Sequence, residues 1–159
     1  MNRIKTILLL SFGLFASLTN AQSKKDVKKN HIRSTTVSDN ENGKIFCSKK
    51  TVFDKAGQTL EEYDYDKDGV LKSVHKFKYN KDGDVTEEEE FDAKTKKTEK
   101  KIYKYNSMGD RIDEQVLDET GKVIRSHQYS YNSKGLKTEK KTLDPTGKLI
   151  SVRSYAYEY

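Results

Sequence analysis

Aromatic and glycine positions recur along this chain at a fixed spacing of 26 residues. One glycine series comprises Gly57, Gly83, Gly109 and Gly135, and a second comprises Gly69, Gly121 and Gly147, with Thr95 at its remaining position. Two aromatic series share the spacing: Phe53, Tyr79, Tyr105 and Tyr131, and Phe77, Tyr103, Tyr129 and Tyr155. No gap interrupts the period from residue 53 to residue 156, which indicates tandem copies of one structural unit.

Each unit carries two turn signals, because Asp or Asn stands three residues before each glycine position. Such side chains bond the backbone that follows them, and glycine adopts positive φ without steric cost. The segments between turns, about eight residues long and rich in Tyr, Val, Ile, Thr and Lys, read as short strands. Glycine and Asx recur too often for helices. The pattern predicts an all-β antiparallel meander of two-strand repeats, with eight to ten strands in total.

Alternation along the strands assigns some columns to faces. Leu71, Val123 and Leu149 lie an even number of residues before the aromatics that end the same strands, so they share a face. In the preceding strands the column that begins at Leu60 lies five residues before the column that begins at Tyr65. That odd offset places the two columns on opposite faces unless a β-bulge intervenes, and the sequence leaves both possibilities open.

Composition and charge add two constraints to the predicted fold and its partners. Only 33% of the residues are hydrophobic, too few for a thick two-layer core, so we expect a single twisted or curled sheet. Of the net charge of +6, residues 1–21 carry +2 and residues 22–52 carry +5, which leaves −1 for residues 53–159. A nearly neutral repeat body lacks the sustained basic stripe that nucleic acids require. We therefore predict no nucleic-acid partner.

The chain divides into three predicted segments. Residues 1–21 resemble a secretory signal peptide, with basic residues, an apolar stretch and a small-residue cleavage site. Residues 22–31 are rich in Lys and predict a flexible basic tether. Residues 32–159 form the repeat domain, with a half unit, four full units over 53–156 and a truncated fifth. We expect an exported protein, periplasmic or at the cell surface, soluble after cleavage and without a transmembrane segment. Cys47 is the only cysteine, and we expect an ordinary strand side chain.

Two kinds of recurring side chain are candidates for binding. Tyrosines can stack on sugar rings or grip a peptide, because they combine an apolar ring with a polar tip. Carboxylates recur at one position of the unit, and basic side chains recur at another, namely His75, Lys101, His127 and Arg153. Cross-strand pairing of these two columns would stabilise the sheet. The candidate binding residues are Tyr79, Tyr105, Tyr131, Glu61, Glu87, Asp113 and Glu139.

The sequence contains few residues in a spacing typical of a metal site or a catalytic site. Asp64, Asp66 and Asp68 match the start of a calcium loop, but the twelfth position is His75 rather than Glu, and ordinary turn roles already account for Asp66 and Gly69. His75 and His127 lie two units apart, too far for one ion. The run from Glu87 to Glu90 is expected to mark a solvated edge. We predict no metal site, no cofactor and no enzyme activity.

The repeated pattern Y-x-Y-[DN]-x-x-G, with its alternating D-x-x-G turns, resembles the YD repeats of the Rhs and teneurin families. The likeness extends from about residue 32 to residue 159. It implies a spiralling β-sheet, although four units are too few for the closed shells that such repeats build around cargo. The expected function is that of a non-catalytic binding or scaffold module for polysaccharide or another envelope protein. The alternative is a structural or adhesive element that self-associates through its sheet edges.

Overall fold

A computed structural model describes residues 23–158 as one sheet of ten antiparallel strands, preceded by a short helix. The predicted signal peptide lies outside the described residues. The elements are α1 (Lys24–Lys29), β1 (Ser34–Glu41), β2 (Lys44–Phe53), β3 (Thr59–Tyr65), β4 (Leu71–Tyr79), β5 (Val85–Asp92), β6 (Lys97–Tyr105), β7 (Arg111–Leu117), β8 (Val123–Tyr131), β9 (Lys137–Leu143) and β10 (Leu149–Ser154). The strands lie side by side in sequence order, which confirms the predicted meander. The sheet is open, with β1 and β10 as its two edges.

The period of the sequence is also the period of the structure. The strands that end a unit terminate at Phe53, Tyr79, Tyr105 and Tyr131, and the strands that begin the next stretch start at Thr59, Val85, Arg111 and Lys137. Both series advance by 26 residues. One unit is therefore two strands and two turns, as the spacing predicts.

The turns form as the Asx and glycine positions predict. In the turn after β2, the Asp54 carboxylate accepts the backbone N–H groups of Ala56 and Gln58 at 2.8 Å each. Gly57 donates its N–H to the Asp54 carbonyl and has φ +80°, a conformation that favours glycine. The turn after β5 lacks the glycine, and Lys96 takes the positive φ (+56°) there.

β-Bulges lie at the start of the strands for which the odd offset left the faces open. Val52 pairs with Glu61 and Phe53 pairs with Thr59, so Leu60 has no direct partner. The same bulge recurs in β5, β7 and β9, at the positions equivalent to Leu60. A bulge adds one residue to one strand, so even alternation cannot be carried across it. The columns on either side of Leu60 therefore follow separate alternation patterns.

The sheet forms a single layer with very little core. Substantial contacts between elements join only strands that are neighbours in sequence. The buried hydrophobic side chains among the described residues are Val27, Tyr103, Val116 and Leu117, and His127 is buried with them. Most strand positions are half-buried, so cross-strand pairs rather than a central core stabilise the fold.

The structure departs from the sequence at the predicted tether. Residues Lys24–Lys29 form helix α1, with Ser23 as its N-cap and Val27 only 1% exposed. The helix packs onto the first turn of the repeat so closely that a Cβ on Gly57 would lie 2.5 Å from the Lys24 carbonyl oxygen. Six Lys-rich residues with one apolar position give no helical periodicity, so this helix depends on the surface that it covers.

Candidate functional site

The predicted tyrosine column has a structural role in every unit. Tyr79 donates its hydroxyl to the Thr59 carbonyl, Tyr105 to the Val85 carbonyl and Tyr131 to the Arg111 carbonyl, each at 2.7 Å. The acceptor always lies twenty residues earlier, at the start of the strand before the tyrosine's own. The three rings are half-buried. Their polar tips are therefore used within the sheet.

The second aromatic column packs against the first residue of the following strand. The Arg111 guanidinium lies 3.8 Å from the centre of the Tyr103 ring, and the Lys137 ammonium lies 4.5 Å from that of Tyr129. The hydroxyls point the other way, Tyr103 to Glu88 at 2.6 Å and Tyr129 to Glu114 at 2.8 Å. Burial and the carboxylate raise the pKa of both tyrosines, so they remain neutral donors.

The carboxylate column does not pair with the basic column, contrary to the sequence prediction. Glu61 pairs with Lys76, whereas His75 pairs with Glu62, one position along each strand, so the two columns lie on opposite faces. The predicted Tyr79, Tyr105 and Tyr131 lie on the His75 face, since they are an even number of residues from the basic column on their own strands. Tyrosines and carboxylates therefore do not form one groove.

Members of the carboxylate column have different local partners. Glu87 is bound by Lys100 at 2.6 Å and Lys78 at 3.1 Å, and these lysines lower its pKa. Glu61 accepts the Tyr63 hydroxyl, and Glu139 contacts Lys141. The buried Oδ1 of Asp113 has no hydrogen-bond partner among the described residues. This variety fits local pairing better than one shared ligand.

His75 lies in an acidic environment that sequence spacing does not identify. It pairs with Glu90 across the β4–β5 hairpin, and its Nδ1 lies 3.9 Å from Oε1 of Glu88. The Glu88 carboxylate raises the pKa of His75 against the opposing effect of burial, with further help from Glu90 and Asp64. In return His75, with the Tyr103 hydroxyl, lowers the pKa of Glu88 to about 2. The strand that carries these acids, β5, lies between β4 and β6, so the predicted solvated edge is wrong.

His127 occupies the equivalent position two units later and has the opposite environment. It is 8% exposed, and its Nδ1 lies 3.1 Å from the Thr142 hydroxyl. Burial first, and then the charge of Lys140, lowers the pKa of His127. The two histidines thus share a column and differ in charge preference.

The calcium-like loop is built as a turn. The Asp66 carboxylate accepts the N–H groups of Asp68 and Val70 at 2.9 Å each. Asp68 binds Lys44 at 2.9 Å, and Asp64 accepts the Ser73 hydroxyl at 3.2 Å. All three carboxylates are therefore occupied by groups of the protein.

The two edges of the sheet differ in character. Strand β10 is exposed along its whole length, and Leu149, Ile150 and Val152 are 50%, 61% and 46% exposed. Strand β1 is polar apart from Val37 and carries Asp39 and Glu41. Exposed apolar edge strands are ready templates for pairing, whereas polar and charged edges resist it.

No protein-family model matches the chain, and no curated protein matches it. Within residues 23–158, no helix has the length and apolar character needed to cross a membrane.

Proposed function

We propose that this chain is an exported, non-catalytic binding or scaffold module that binds a protein partner by adding a strand to the β10 edge. Export is inferred from residues 1–21 and the small-residue cleavage site at their end. Kinship to the YD repeats is part of the same proposal, and the single meandering sheet with its 26-residue period supports it.

The observation that carries the proposal is the exposed edge strand β10, with its three partly exposed apolar side chains. Its outer backbone N–H and C=O groups have no neighbouring strand among the described residues. A partner strand would pair with those groups, and its side chains would lie beside Leu149, Ile150 and Val152 on the faces of the sheet. Backbone pairing supplies affinity in this mode of recognition, and the alternating side chains supply specificity.

A protein strand fits this surface better than a polysaccharide does. The tyrosines suited to stacking on sugars are half-buried, and Tyr79, Tyr105 and Tyr131 already donate their hydroxyls to backbone carbonyls. The carboxylates that would complete a polar groove lie on the other face of the sheet. The apolar edge therefore carries the proposal.

The test is a pull-down from an envelope extract, in which one edge is changed at a time. The double variant Ile150→Lys/Val152→Lys places charges on β10, and Val37→Lys does the same on the β1 edge as a matched control. We expect the wild type and Val37→Lys to capture the same protein and the β10 variant to lose it. Capture that survives the β10 variant would reject the edge, and binding on a glycan array alone would favour the polysaccharide alternative.

The directions and charges of the two edge strands favour a second candidate function, which is self-association. Strands alternate in direction, so with ten strands a translated copy would present its β1 antiparallel to β10. Asp39 and Glu41 on β1 would also face an edge that carries Arg153 and follows Lys148. Such head-to-tail contacts leave free edges and extend into open assemblies.

Sedimentation velocity over a concentration series separates the two candidates. Self-association through edges predicts a sedimentation coefficient that rises with concentration and falls back in both Ile150→Lys/Val152→Lys and Val37→Lys. A monomer at every concentration rejects self-association and leaves the partner-binding proposal in place.

A further inference from the structure

One cluster of metal-ligand side chains stands apart among residues 23–158. It consists of His75, Glu88 and Glu90, and one ligand atom from each lies within 4.8 Å of the other two. All three residues are half-buried. Their side chains lie on the face of the sheet opposite to the column of Glu61 and Glu87.

The strand register brings these three side chains together. His75 lies directly across from Glu90, and Glu88 lies across from Phe77, two residues further along the same face. Strands β4 and β5 are joined by the tight turn at residues 80–84 and are flanked by β3 and β6. The three ligands thus stand on paired interior strands, whose backbone holds them near one another before any ion binds.

The donor spacing suits a small cation after modest side-chain movement. The ligands of a tetrahedral zinc ion, at about 2.0–2.2 Å from the metal, lie about 3.4 Å from one another. His75 Nδ1 and Glu88 Oε1 are 3.9 Å apart, and no pair within the cluster exceeds 4.8 Å. The donors must therefore approach one another slightly when an ion binds.

Neighbouring residues orient two of the ligands. The Tyr103 hydroxyl binds Oε2 of Glu88 at 2.6 Å, which leaves Oε1 directed at His75. The His75 ring is stacked on Phe77, at 6.4 Å between centres and 11° between planes. Such outer partners fix ligand orientation at metal sites and strengthen binding. Lys101, 4.0 Å from Glu90, opposes a cation, but Glu99 also binds it at 3.6 Å.

We propose that His75, Glu88 and Glu90 form a binding site for one divalent transition-metal ion, for which Zn²⁺ is the probe. One imidazole nitrogen and two carboxylates are donors that suit zinc and its neighbours, whereas Ca²⁺ and Mg²⁺ prefer oxygen alone. With three protein ligands, the ion keeps a position open for water or for a group of a partner.

The chain contains its own control, because His127 repeats the position of His75. Two units after Glu88 and Glu90 stand Lys140 and Thr142, an ammonium and a hydroxyl. The backbone pairing is equivalent, since His127 pairs with Thr142 as His75 pairs with Glu90. A site that depends on the three proposed ligands must therefore bind at His75 and not at His127.

The experiment is a zinc titration of the metal-stripped protein by calorimetry, in a Cys47→Ser background that removes the only thiol. We expect one zinc per chain. His75→Gln and the double variant Glu88→Gln/Glu90→Gln each lower the affinity by at least about tenfold, and His31→Gln and His127→Gln leave it within about twofold. Tyr103→Phe, as a change to an outer partner, weakens zinc by about tenfold. The graft Lys140→Glu/Thr142→Glu raises the stoichiometry to two, and Ca²⁺ or Mg²⁺ does not compete.

A second measurement does not depend on any variant being folded. Zinc added to the wild type shifts the ring ¹⁵N signals of His75 in NMR spectra and leaves those of His127 in place. The proposal is overturned if zinc does not saturate at one per chain. It is equally overturned if His75→Gln, folded by circular dichroism, binds as the wild type does.

Discussion

His75 and His127 occupy the same position of the repeat two units apart, yet the fold favours opposite charge states at the two sites. Around His75 stand Glu88, Glu90 and Asp64, and the pKa of the imidazole is raised. Around His127 the equivalent positions hold Lys140, Thr142 and Val116, and burial with the lysine charge lowers the pKa. Three side chains on a shared backbone therefore replace an acidic environment with one that holds an ammonium, a hydroxyl and a buried valine.

The comparison shows which features the repeat holds constant and which it lets vary. The turns after β2, β4, β6 and β8, the bulges beside them and the tyrosine bonds to backbone carbonyls recur from unit to unit. The side chains between them on the exposed faces differ in each unit, because a single-layer sheet imposes little packing on them. The scaffold is thus largely uniform, and the surface chemistry is local to each unit.

The largest expected difference between the two histidine sites concerns the next-to-last residue of β3 and of β7, which is Asp64 in the first and Val116 in the second. Val116 is 1% exposed, whereas its equivalent, Asp64, is half-buried and holds only a 3.2 Å bond from Ser73 and a 4.0 Å contact with Lys49. Val116→Ala should lower the free energy of unfolding by about 2 kcal/mol, because buried methyl groups are lost and a cavity remains. Asp64→Ala should cost less than about 1 kcal/mol. Urea unfolding of both variants measures the difference, and equal losses would show that the two sites are equally buried.

The next difference between His75 and His127 is the direction in which each changes the stability of the fold with pH. Folding raises the pKa of His75 above 6.5, so its stabilising contribution is complete below pH 6.5 and is lost as the pH rises through the raised pKa. Folding lowers the pKa of His127, so the folded state loses stability as the pH falls from 6.5 through the lowered pKa.

Urea unfolding of the metal-free protein at about pH 5 and about pH 8 tests both signs. His75→Gln should cost more at the lower pH, by roughly 1 kcal/mol or less, the usual range for a partly exposed ion pair. His127→Gln should cost more at the higher pH. Two variants with the same pH dependence would contradict the assigned environments.

The 26-residue period predicts the sheet well because the repeated residues are those that form the turns. Asx and glycine act locally, so strand number, order and boundaries follow from positions such as Asp54 and Gly57. The faces could not be predicted, because a bulge at Leu60 leaves no mark on composition. Helix α1 was missed because its stability comes from packing on the turn at Gly57.

The cluster of His75, Glu88 and Glu90 could not be predicted for a related reason. The sequence does show Glu88 and Glu90 two residues apart on one strand, which places them on one face. What it does not show is that the hairpin register sets them against His75. Reading the hairpin outward from the turn at residues 80–84, with one bulge allowed, would have found the pair.

A smaller effect is expected from exchanging the charges around the two histidines. Lys140→Glu/Thr142→Glu places two carboxylates beside His127, and its pKa should rise from below 6.5 to above it, since a nearby negative charge favours the imidazolium form. The converse change, Glu88→Lys, should bring the pKa of His75 down. NMR titration of the imidazole C–H signals in metal-free protein measures both. A pKa of His127 that stays below 6.5 after the exchange would mean that burial alone decides it.

The smallest expected effect lies at the residue that covers each second-column aromatic. Lys137 lies 4.5 Å from the centre of the Tyr129 ring, and the equivalent residue two units earlier is Val85, on the same face as Phe77. Lys137→Val removes a cation–π contact of about 0.5–1 kcal/mol and adds apolar contact with the ring. The two changes offset each other, so the free energy of unfolding should move by less than about 0.5 kcal/mol. A loss well above that value would show that the cation itself, rather than cover for the ring, is what this position of the repeat requires.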